Sequence, residues 1–220
     1  MATASDRQRT GRPRTEEAPA TTAQILDAAF RAFATHGYDG VSVRTLNREL
    51  GVSHNLIHQR FRSKEGLWYA AVDRAFGSQV TELATSFDPT LTDPLDQLNH
   101  AIRRFVHYSA EHPELLGLMN IEGRVESDRL DYIYDNYVAP ALEPLGRLLE
   151  FLTAHGRIRP ISLRALLFLI AHGAAAPFTL TPFARRFDDT DPLAPAQVDQ
   201  HAVMIADILT NGLKLAPPAV

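Results

Sequence analysis

The stretch that decides the fold reads SVRTLNRELGVSHNLIHQRF and runs from Ser42 to Phe61. Its first half places Val43, Leu46 and Leu50 at helical spacing, which predicts a short helix with one buried side. A glycine then permits a positive φ where that helix ends, and a serine two residues later can cap a second helix. Two short helices joined by so brief a turn predict a helix-turn-helix, whose second helix enters the major groove of DNA.

The second helix has an apolar side and a polar side. Ile57 and Phe61 lie four residues apart and are expected to face the core, so a step of about 100° per residue turns Asn55 and Gln59 outward. Asn and Gln can pair with adenine, His can donate to guanine or phosphate, and Leu can contact a thymine methyl group. A merely solvated helix face is the other interpretation. The residues expected to contact DNA on and beside this helix are Ser53, His54, Asn55, Leu56, His58, Gln59 and Arg60.

The sequence around the motif favours a helix that contacts DNA over a merely solvated helix. Apolar, glycine and capping residues that accompany the motif occur in a fixed order over about fifty positions. They are Ile25, Ala28, Ala29, Phe33, Gly37, Ser42, Val43, Leu46, Gly51, Val52, Ser53, Ile57, Phe61, Lys64 and Leu67. In this set the chain resembles the TetR (tetracycline-repressor) family of transcriptional regulators. The resemblance implies an operator contact for Arg44. Lys64, beside the free amides at the start of the next helix, is expected to hold a phosphate.

Two departures from the family pattern bear on the site. Asn47 stands at a position that is normally close-packed and apolar, and the tyrosine that contacts phosphate in the family is missing from this chain. His58 could replace its hydrogen bond, and Arg60 could add a charged contact. The operator is therefore expected to differ from the familiar ones.

Charge is divided unevenly along the chain. Residues 1–64 hold ten basic and six acidic side chains, net +4, whereas the rest of the chain is net −8. A basic end can attract phosphates and release counterions. Residues 1–18 are expected to form a disordered arm, in which Gly11-Arg12-Pro13-Arg14 resembles an AT-hook. Arg12 and Arg14 are expected near DNA, in a narrow minor groove; the other interpretation is a solvated tail or a loose phosphate tether.

The chain is predicted to be all-α, with about nine helices in three parts. These are the arm at 1–18, a three-helix helix-turn-helix domain at 19–66, and a larger ligand-binding and dimerisation domain at 67–216. The first helix is expected to end at about His36. Helices are then predicted at Lys64–Ser86, Leu95–Glu111, Glu114–Gly123, Leu130–His155 with a kink from Pro140 and Pro144, Leu163–Ala176 and Gln197–Leu215, with a linker at Pro177–Ala194.

The resemblance implies a ligand pocket in the second domain. Its predicted lining is apolar and aromatic, which favours a hydrophobic effector over a sugar or nucleotide. Plain core packing is the other interpretation of each of these residues. The predicted pocket residues are Trp68, Phe105, Tyr108, Met119, Glu122, Tyr134, Tyr137, Phe168 and His172, with Arg124 as a further polar anchor.

The resemblance also implies a homodimer, because in this family the last two helices of each subunit form a four-helix bundle across a two-fold axis. The predicted interface residues are Leu167, Ile170, Ala174, Ile205 and Ile208.

Composition excludes several other classes. The chain has no cysteine, which rules out disulfides and thiolate metal sites. No metal or cofactor is predicted, and no apolar run approaches the roughly 18 residues of a membrane span. Without a secretion signal, a cytoplasmic protein is expected. The sequence thus predicts a dimeric repressor that binds a pseudo-palindromic operator and is released by a small hydrophobic ligand. The alternatives are a ligand-free DNA-binding regulator and, with less support, a helical enzyme using Glu122, His107 or His172.

Overall fold

The computed structural model describes residues 20–52, 55–84 and 87–215, and within these ranges the regular secondary structure is helical, as predicted. Two residues in an isolated bridge, Ile158 and Lys214, are the exception. Within the same ranges, no helix combines the length and the hydropathy needed to cross a bilayer.

The first helix, α1 (Thr22–Gly40), begins with a complete capping box. Thr21 Oγ1 accepts from the Gln24 amide, and the Gln24 side chain accepts from the Thr21 amide. Gly37 leaves the helical region at φ 71° near the predicted stop, although the helical assignment continues to Gly40. The buried side of α1 faces the core through Ile25, Ala29, Phe30 and Phe33.

Three helices follow in quick succession: α2 (Val43–Glu49), α3 (Leu56–Phe61) and α4 (Lys64–Ala84). Ser42 caps α2 by accepting from the Thr45 amide at 3.4 Å. Gly51 takes φ +63° after α2, so the predicted role of this glycine is confirmed. Ser63 caps α4 by accepting from the Gly66 amide at 2.9 Å.

The next two helices are α5 (Pro94–Glu111) and α6 (Pro113–Glu122), each with a proline in its first turn. Asp93 caps α5 and also pairs with Arg157 at 3.0 Å. The Leu95 amide, which donates to this carboxylate, and the nearby Arg157 together lower the pKa of Asp93. The two predicted helices are confirmed, with starts one residue earlier.

The predicted long helix is α7 (Asp128–Ile133), a π-helical segment (Tyr134–Val138) and α8 (Ala139–Ala154) in continuous succession. The Ala139 amide bonds to the Tyr134 carbonyl, five residues back. Pro140 and Pro144 have no N–H to donate, so carbonyls in the preceding turn lose their usual partners. A π-helical turn adjoins the prolines where a kink was expected.

The C-terminal region contains α9 (Leu163–Phe168), a second π-helical segment (Leu169–Ala174), α10 (Ala176–Thr179), α11 (Thr181–Ala184) and α12 (Pro195–Leu213). The prediction of a linker at 177–194 was therefore wrong in its first half, where two short helices form. If each π-helical segment is counted with its neighbours, the described residues form eleven helices, two more than predicted.

Two hydrophobic clusters hold the described chain together. The first joins α1 to α4 with parts of α5, α6 and α7, since Phe33 and Trp68 share it with Leu118 and Ile133. The second joins α5, α8, α9 and α12. The first cluster contains residues on both sides of residue 66, the predicted boundary between the two domains. The predicted DNA-binding domain and the rest of the described chain therefore share buried side chains.

Candidate nucleic-acid interface

Helix α3 has a buried underside and an exposed upper side. Ile57 is 1% exposed and Phe61 is half-buried, whereas His58 and Gln59 are exposed. Leu56 at the start of the helix is half-buried. The predicted division of this helix into a packed side and a bare side is therefore present, with one amide, Gln59, on the bare side.

The start of α3 differs from the prediction. The helix begins at Leu56, so it has six residues, and Asn55 is the exposed N-cap instead of a member of the helix. Asn55 takes the N-cap position with an αR backbone, and its side chain makes no capping hydrogen bond. Ser53, His54, Arg12 and Arg14, together with the arm at 1–18, lie outside the described residues.

Basic residues near α3 fall into different environments. Arg44 is exposed in the first turn of α2. The Arg60 guanidinium donates to the Ala20 carbonyl and the Thr22 hydroxyl, both at 3.3 Å. Arg60 thus ties α3 to the start of α1, and this contact competes with its predicted role as a free phosphate contact.

Lys64, the first residue of α4, is half-buried and rests against an aromatic ring. Its Nζ atom lies 4.5 Å from the centroid of Tyr38, and the Arg129 guanidinium lies 4.2 Å from the same centroid. Two cations therefore lie against the same ring, an arrangement favoured by the negative charge of its π-faces. Burial, followed by the nearby Glu65 charge, raises the pKa of Tyr38.

Arg129 connects this ring to the body of the protein. Its Nε atom lies 3.1 Å from Glu122 Oε2, and the Glu122 side chain is only 3% exposed. A carboxylate taken so far out of water needs a charged partner. Glu122 was predicted to anchor a ligand, but its carboxylate is paired with Arg129.

A second polar contact holds α4 on its other side. Asp73 Oδ1 accepts from Tyr132 at 2.6 Å and from Tyr137 at 2.7 Å. Residues five apart would lie about 140° apart on a regular helix, so they would not meet one acceptor. The π-helical segment between them closes that angle. The contacts of α4 with its neighbours are called the α4 joint below; its members are Tyr38, Lys64, Asp73, Glu122, Arg129, Tyr132 and Tyr137.

The predicted pocket residues are dispersed. Trp68, Tyr108, Met119 and Tyr137 belong to the first hydrophobic cluster, whereas Phe105 packs against the second. Tyr134 and Phe168 are 54% and 57% exposed, and His172 and Arg124 are also exposed. The prediction that all nine residues line one pocket was wrong, because helical spacing does not report which packed helices meet.

Two surface grooves are lined by other residues. One lies between α1 and α2 and includes Arg31, His36 and Glu49. The other, of about 400 Å³, lies beside α10, α11 and the start of α12, and includes Phe183, Phe187 and His201. Neither contains a residue of the predicted pocket.

The dimer prediction needs a correction at two positions. Ile170 is 1% exposed and Ala174 is 2% exposed, so they belong to the second cluster of their own chain and cannot supply a face to a partner. Leu167 and Ile205 are half-buried, and Ile208 is 60% exposed.

Large apolar side chains are exposed next to these positions. His201 of α12 contacts the Ala174 carbonyl at 2.7 Å, so α12 and the second π-helical segment are neighbours. The exposed residues here are called the outer apolar face; they are Phe168 at the end of α9, Leu169 in the second π-helical segment, and Met204 and Ile208 on α12, with exposed fractions of 57%, 51%, 50% and 60%. The apolar spacing of the segment from Leu163 could not single out Phe168 and Leu169, because that segment is apolar almost all round.

A six-residue helix with a polar outer side, preceded by a capped helix and followed by the start of a long one, defines a helix-turn-helix protein. The N-terminal part matches the family described as "Bacterial regulatory proteins, tetR family" over residues 25–71. Residues 94–209 match "Tetracyclin repressor-like, C-terminal domain". The chain belongs to the TetR family of bacterial regulatory proteins. This confirms the predicted family and favours a regulator over an enzyme, since the relatives are named as transcriptional repressors.

Curated relatives are similar over part of their length. The chain is 47% identical over 47 residues to the HTH-type transcriptional repressor Rv1474c of Mycobacterium tuberculosis, covering 21% of this chain and 25% of that protein. It is 33% identical over 104 residues to the HTH-type transcriptional repressor SCO4008 of Streptomyces coelicolor, covering 47% and 50%. The matches thus span between a quarter and half of the length of these relatives.

A solved structure shows the same fold over a longer range. The fatty acid degradation regulator FadR from Bacillus halodurans superposes with a TM-score of 0.62 at 19% identity, covering 88% of this chain and 100% of that chain. The helical C-terminal part therefore follows the family architecture as well as the N-terminal part.

Proposed function

We propose that this chain is a cytoplasmic, homodimeric transcriptional repressor that binds a pseudo-palindromic operator through α3 and is released by a small hydrophobic effector. The observation that carries the proposal is the bare polar side of α3, with its buried Ile57 underneath. A helix that only packs in the core would bury that side, whereas a recognition helix needs it exposed to contact the edges of the bases.

In this proposal Gln59 pairs with the N6 and N7 atoms of an adenine, and His58 contacts a guanine or a phosphate. Arg44 and Lys64 contact phosphates on either side of the groove and set the register. When a phosphate approaches, the Lys64 ammonium group would either leave the Tyr38 ring or contact the ring and the phosphate together. Arg60 supports the reading helix from behind through its contacts with α1.

The outer apolar face supports the homodimer. Contiguous exposed apolar side chains mark interaction surfaces on soluble proteins. A two-fold axis through this face would pair each patch with its own copy, as in isologous dimers. Such a dimer presents two α3 helices, and major grooves on one side of B-DNA recur about every 34 Å.

The α4 joint supports an effector response. Helix α4 begins at the predicted phosphate contact and reaches the aromatic residues Tyr69, Phe76, Tyr132 and Tyr137, whose rings pack edge-on or tilted at centroid distances of 4.6–6.2 Å. A hydrophobic compound inserted among these rings would move α4 and change the α3 separation. It releases DNA only if it binds the moved state more tightly.

Selection of random DNA with the purified protein, followed by gel shifts on the selected fragment over a salt series, tests the DNA-binding proposal. Gln59→Ala should reduce the preference for one base over the others at a single base pair by about 1–3 kcal/mol. Lys64→Ala should instead weaken binding to all DNA sequences by the same factor. If both substitutions weaken all sequences equally, the role given to Gln59 is wrong. If the native protein selects no sequence, the proposed function fails.

A second candidate keeps the DNA-binding role but omits the small molecule. The packed aromatic rings of the α4 joint and the pairing of Glu122 with Arg129 favour it, since neither groove described above enters this region. A thermal-shift screen of small hydrophobic compounds separates the two. A compound that raises the melting temperature and abolishes the gel shift supports the effector, and a screen with no such compound favours control by another protein.

A further inference from the structure

The turn between α3 and α4 contains an unusual backbone conformation. Arg62 has φ 65° and ψ −42°, and the Ser63 amide donates to the Phe61 carbonyl at 2.7 Å. A three-residue turn with a positive φ at its centre and this hydrogen bond is a γ-turn of the rare, strained class. Within the described ranges, Arg62 is the only residue other than glycine with a positive φ.

The contacts on both sides of the turn prevent it from relaxing. The Arg62 amide donates to the His58 carbonyl at 2.8 Å, which ends the reading helix. Ser63 then caps α4 at Gly66, and a Cβ atom at Gly66 would overlap the Phe61 carbonyl oxygen. The turn is therefore packed against the first turn of α4. A glycine at position 62 would adopt the same conformation without strain.

The Arg62 side chain differs from its basic neighbours. Arg60 is bonded to α1, and Lys64 lies on the Tyr38 ring. Arg62 is exposed, and among the residues that the structure describes its guanidinium has no hydrogen-bond or ion-pair partner. Strain that persists at one residue of a surface turn points to a use for the side chain that the strained backbone presents.

We propose that Arg62 contacts a DNA phosphate beside the groove that α3 enters, and that the strained turn is retained because it carries this guanidinium between the reading helix and Lys64. The inference rests on the proposed function and adds a contact to it. A guanidinium suits phosphate because it can form two parallel hydrogen bonds. A phosphate contact carries no base preference, so Arg62 sets affinity and salt dependence and leaves sequence choice to α3.

Three substitutions at this position separate charge from strain. Arg62→Gly removes both the charge and the strain. Arg62→Gln removes the charge but keeps a side chain with a Cβ atom, so the backbone stays strained. Arg62→Lys keeps both the charge and the strain. Gel shifts of the full chain on its selected fragment, from low to high salt, give the slope of log affinity against log salt. Circular dichroism melts measure stability. Arg186→Gln, which removes an exposed arginine after α11, is the matched control for net charge.

For Arg62→Gly and Arg62→Gln we expect the slope of log affinity against log salt to become shallower by about 0.9 for each protomer bound. Their affinity for every DNA sequence should fall about tenfold at moderate salt. Arg62→Lys should keep most of the slope. Arg62→Gly should also melt about 2 °C higher than the native chain, because the strain is relieved. Arg186→Gln should change neither the slope nor the melting temperature.

Unchanged slopes for Arg62→Gly and Arg62→Gln would overturn the phosphate contact. A loss of affinity in Arg62→Gly alone would also overturn it, since that result would mean that turn geometry and not charge is responsible. If the native protein itself prefers no sequence, the proposed function has failed and the Arg62 contact fails with it. The two failures are therefore distinguishable in one experiment.

Discussion

The α4 joint buries a charged group, whereas the outer apolar face exposes large apolar side chains, so each departs from the usual rule of apolar interior and charged surface. In the joint a carboxylate, Glu122, is 3% exposed and paired with Arg129. On the outer face, Phe168 and Ile208 are more than half exposed. Charged groups are rarely buried without partners, and large apolar patches are rarely left bare. The joint supplies the partner within the chain, whereas the face has none within the described chain, so the face is where a second copy is proposed.

The largest effect is expected from opening the joint. Arg129→Leu leaves the Glu122 carboxylate buried without its partner, which should cost about 3 kcal/mol or more of unfolding free energy. Combining it with Glu122→Leu should restore much of that loss, because two apolar side chains need no charge pairing. Urea unfolding at fixed protein concentration measures both.

The matched control for this prediction is Arg147→Leu. Arg147 pairs with Glu143 on the surface of α8, and both side chains are more than 60% exposed. Removing such a pair should change stability by less than about 0.5 kcal/mol. If Arg129→Leu cost no more than this control, the buried pair would have no special structural role, and the contrast between joint and face would disappear.

The next effect is expected at the outer apolar face. Ile208→Glu places two carboxylates near the proposed two-fold axis, so it should weaken self-association about a hundredfold and abolish the operator shift, with the fold intact. Sedimentation equilibrium measures the association. Val125→Glu changes a residue between α6 and α7 that is 68% exposed, and it serves as the control. Dimers of equal strength in both variants would exclude this face as the interface.

The sequence predicted the frame of the fold because its signals are local. The Thr21 and Gln24 capping box, the glycine after α2 and Pro94 at the start of α5 each determine an element boundary through nearby hydrogen bonds. The predicted start of α3 was wrong because Ser53 is a good capping residue by type, whereas the helix begins after Asn55, whose side chain makes no capping bond, so capping chemistry does not mark this start.

The positions of functional side chains were harder to predict, for two physical reasons. The segment from Leu163 is apolar almost all round, so periodicity does not say which side faces the core. Its π-helical turn also shifts the later side chains round the axis relative to a regular helix, and Ile170 and Ala174 turn inward. In the same way, Tyr132 and Tyr137 meet at Asp73 only because a π-helical turn lies between them.

The smallest effect is expected from the edge of the joint that faces solvent. Tyr137→Phe keeps the ring against Phe76 but removes one hydrogen bond to Asp73, while Tyr132 still donates to the same oxygen. The loss should be about 1 kcal/mol at neutral pH. Burial, and then the hydrogen bond to Asp73, raise the pKa of Tyr137.

The raised pKa gives this substitution a pH signature that a plain loss of packing lacks. Above about pH 10 an unfolded tyrosine releases its proton, whereas folded Tyr137 retains it, so the stability that this group contributes is present below pH 10 and is lost as pH rises above it. The stability of Tyr137→Phe should therefore fall less steeply than that of the native chain between pH 9 and 11, as followed by urea unfolding at each pH. Parallel curves would mean that Tyr137 ionises alike in both states, and that the joint is closed there by ring packing alone.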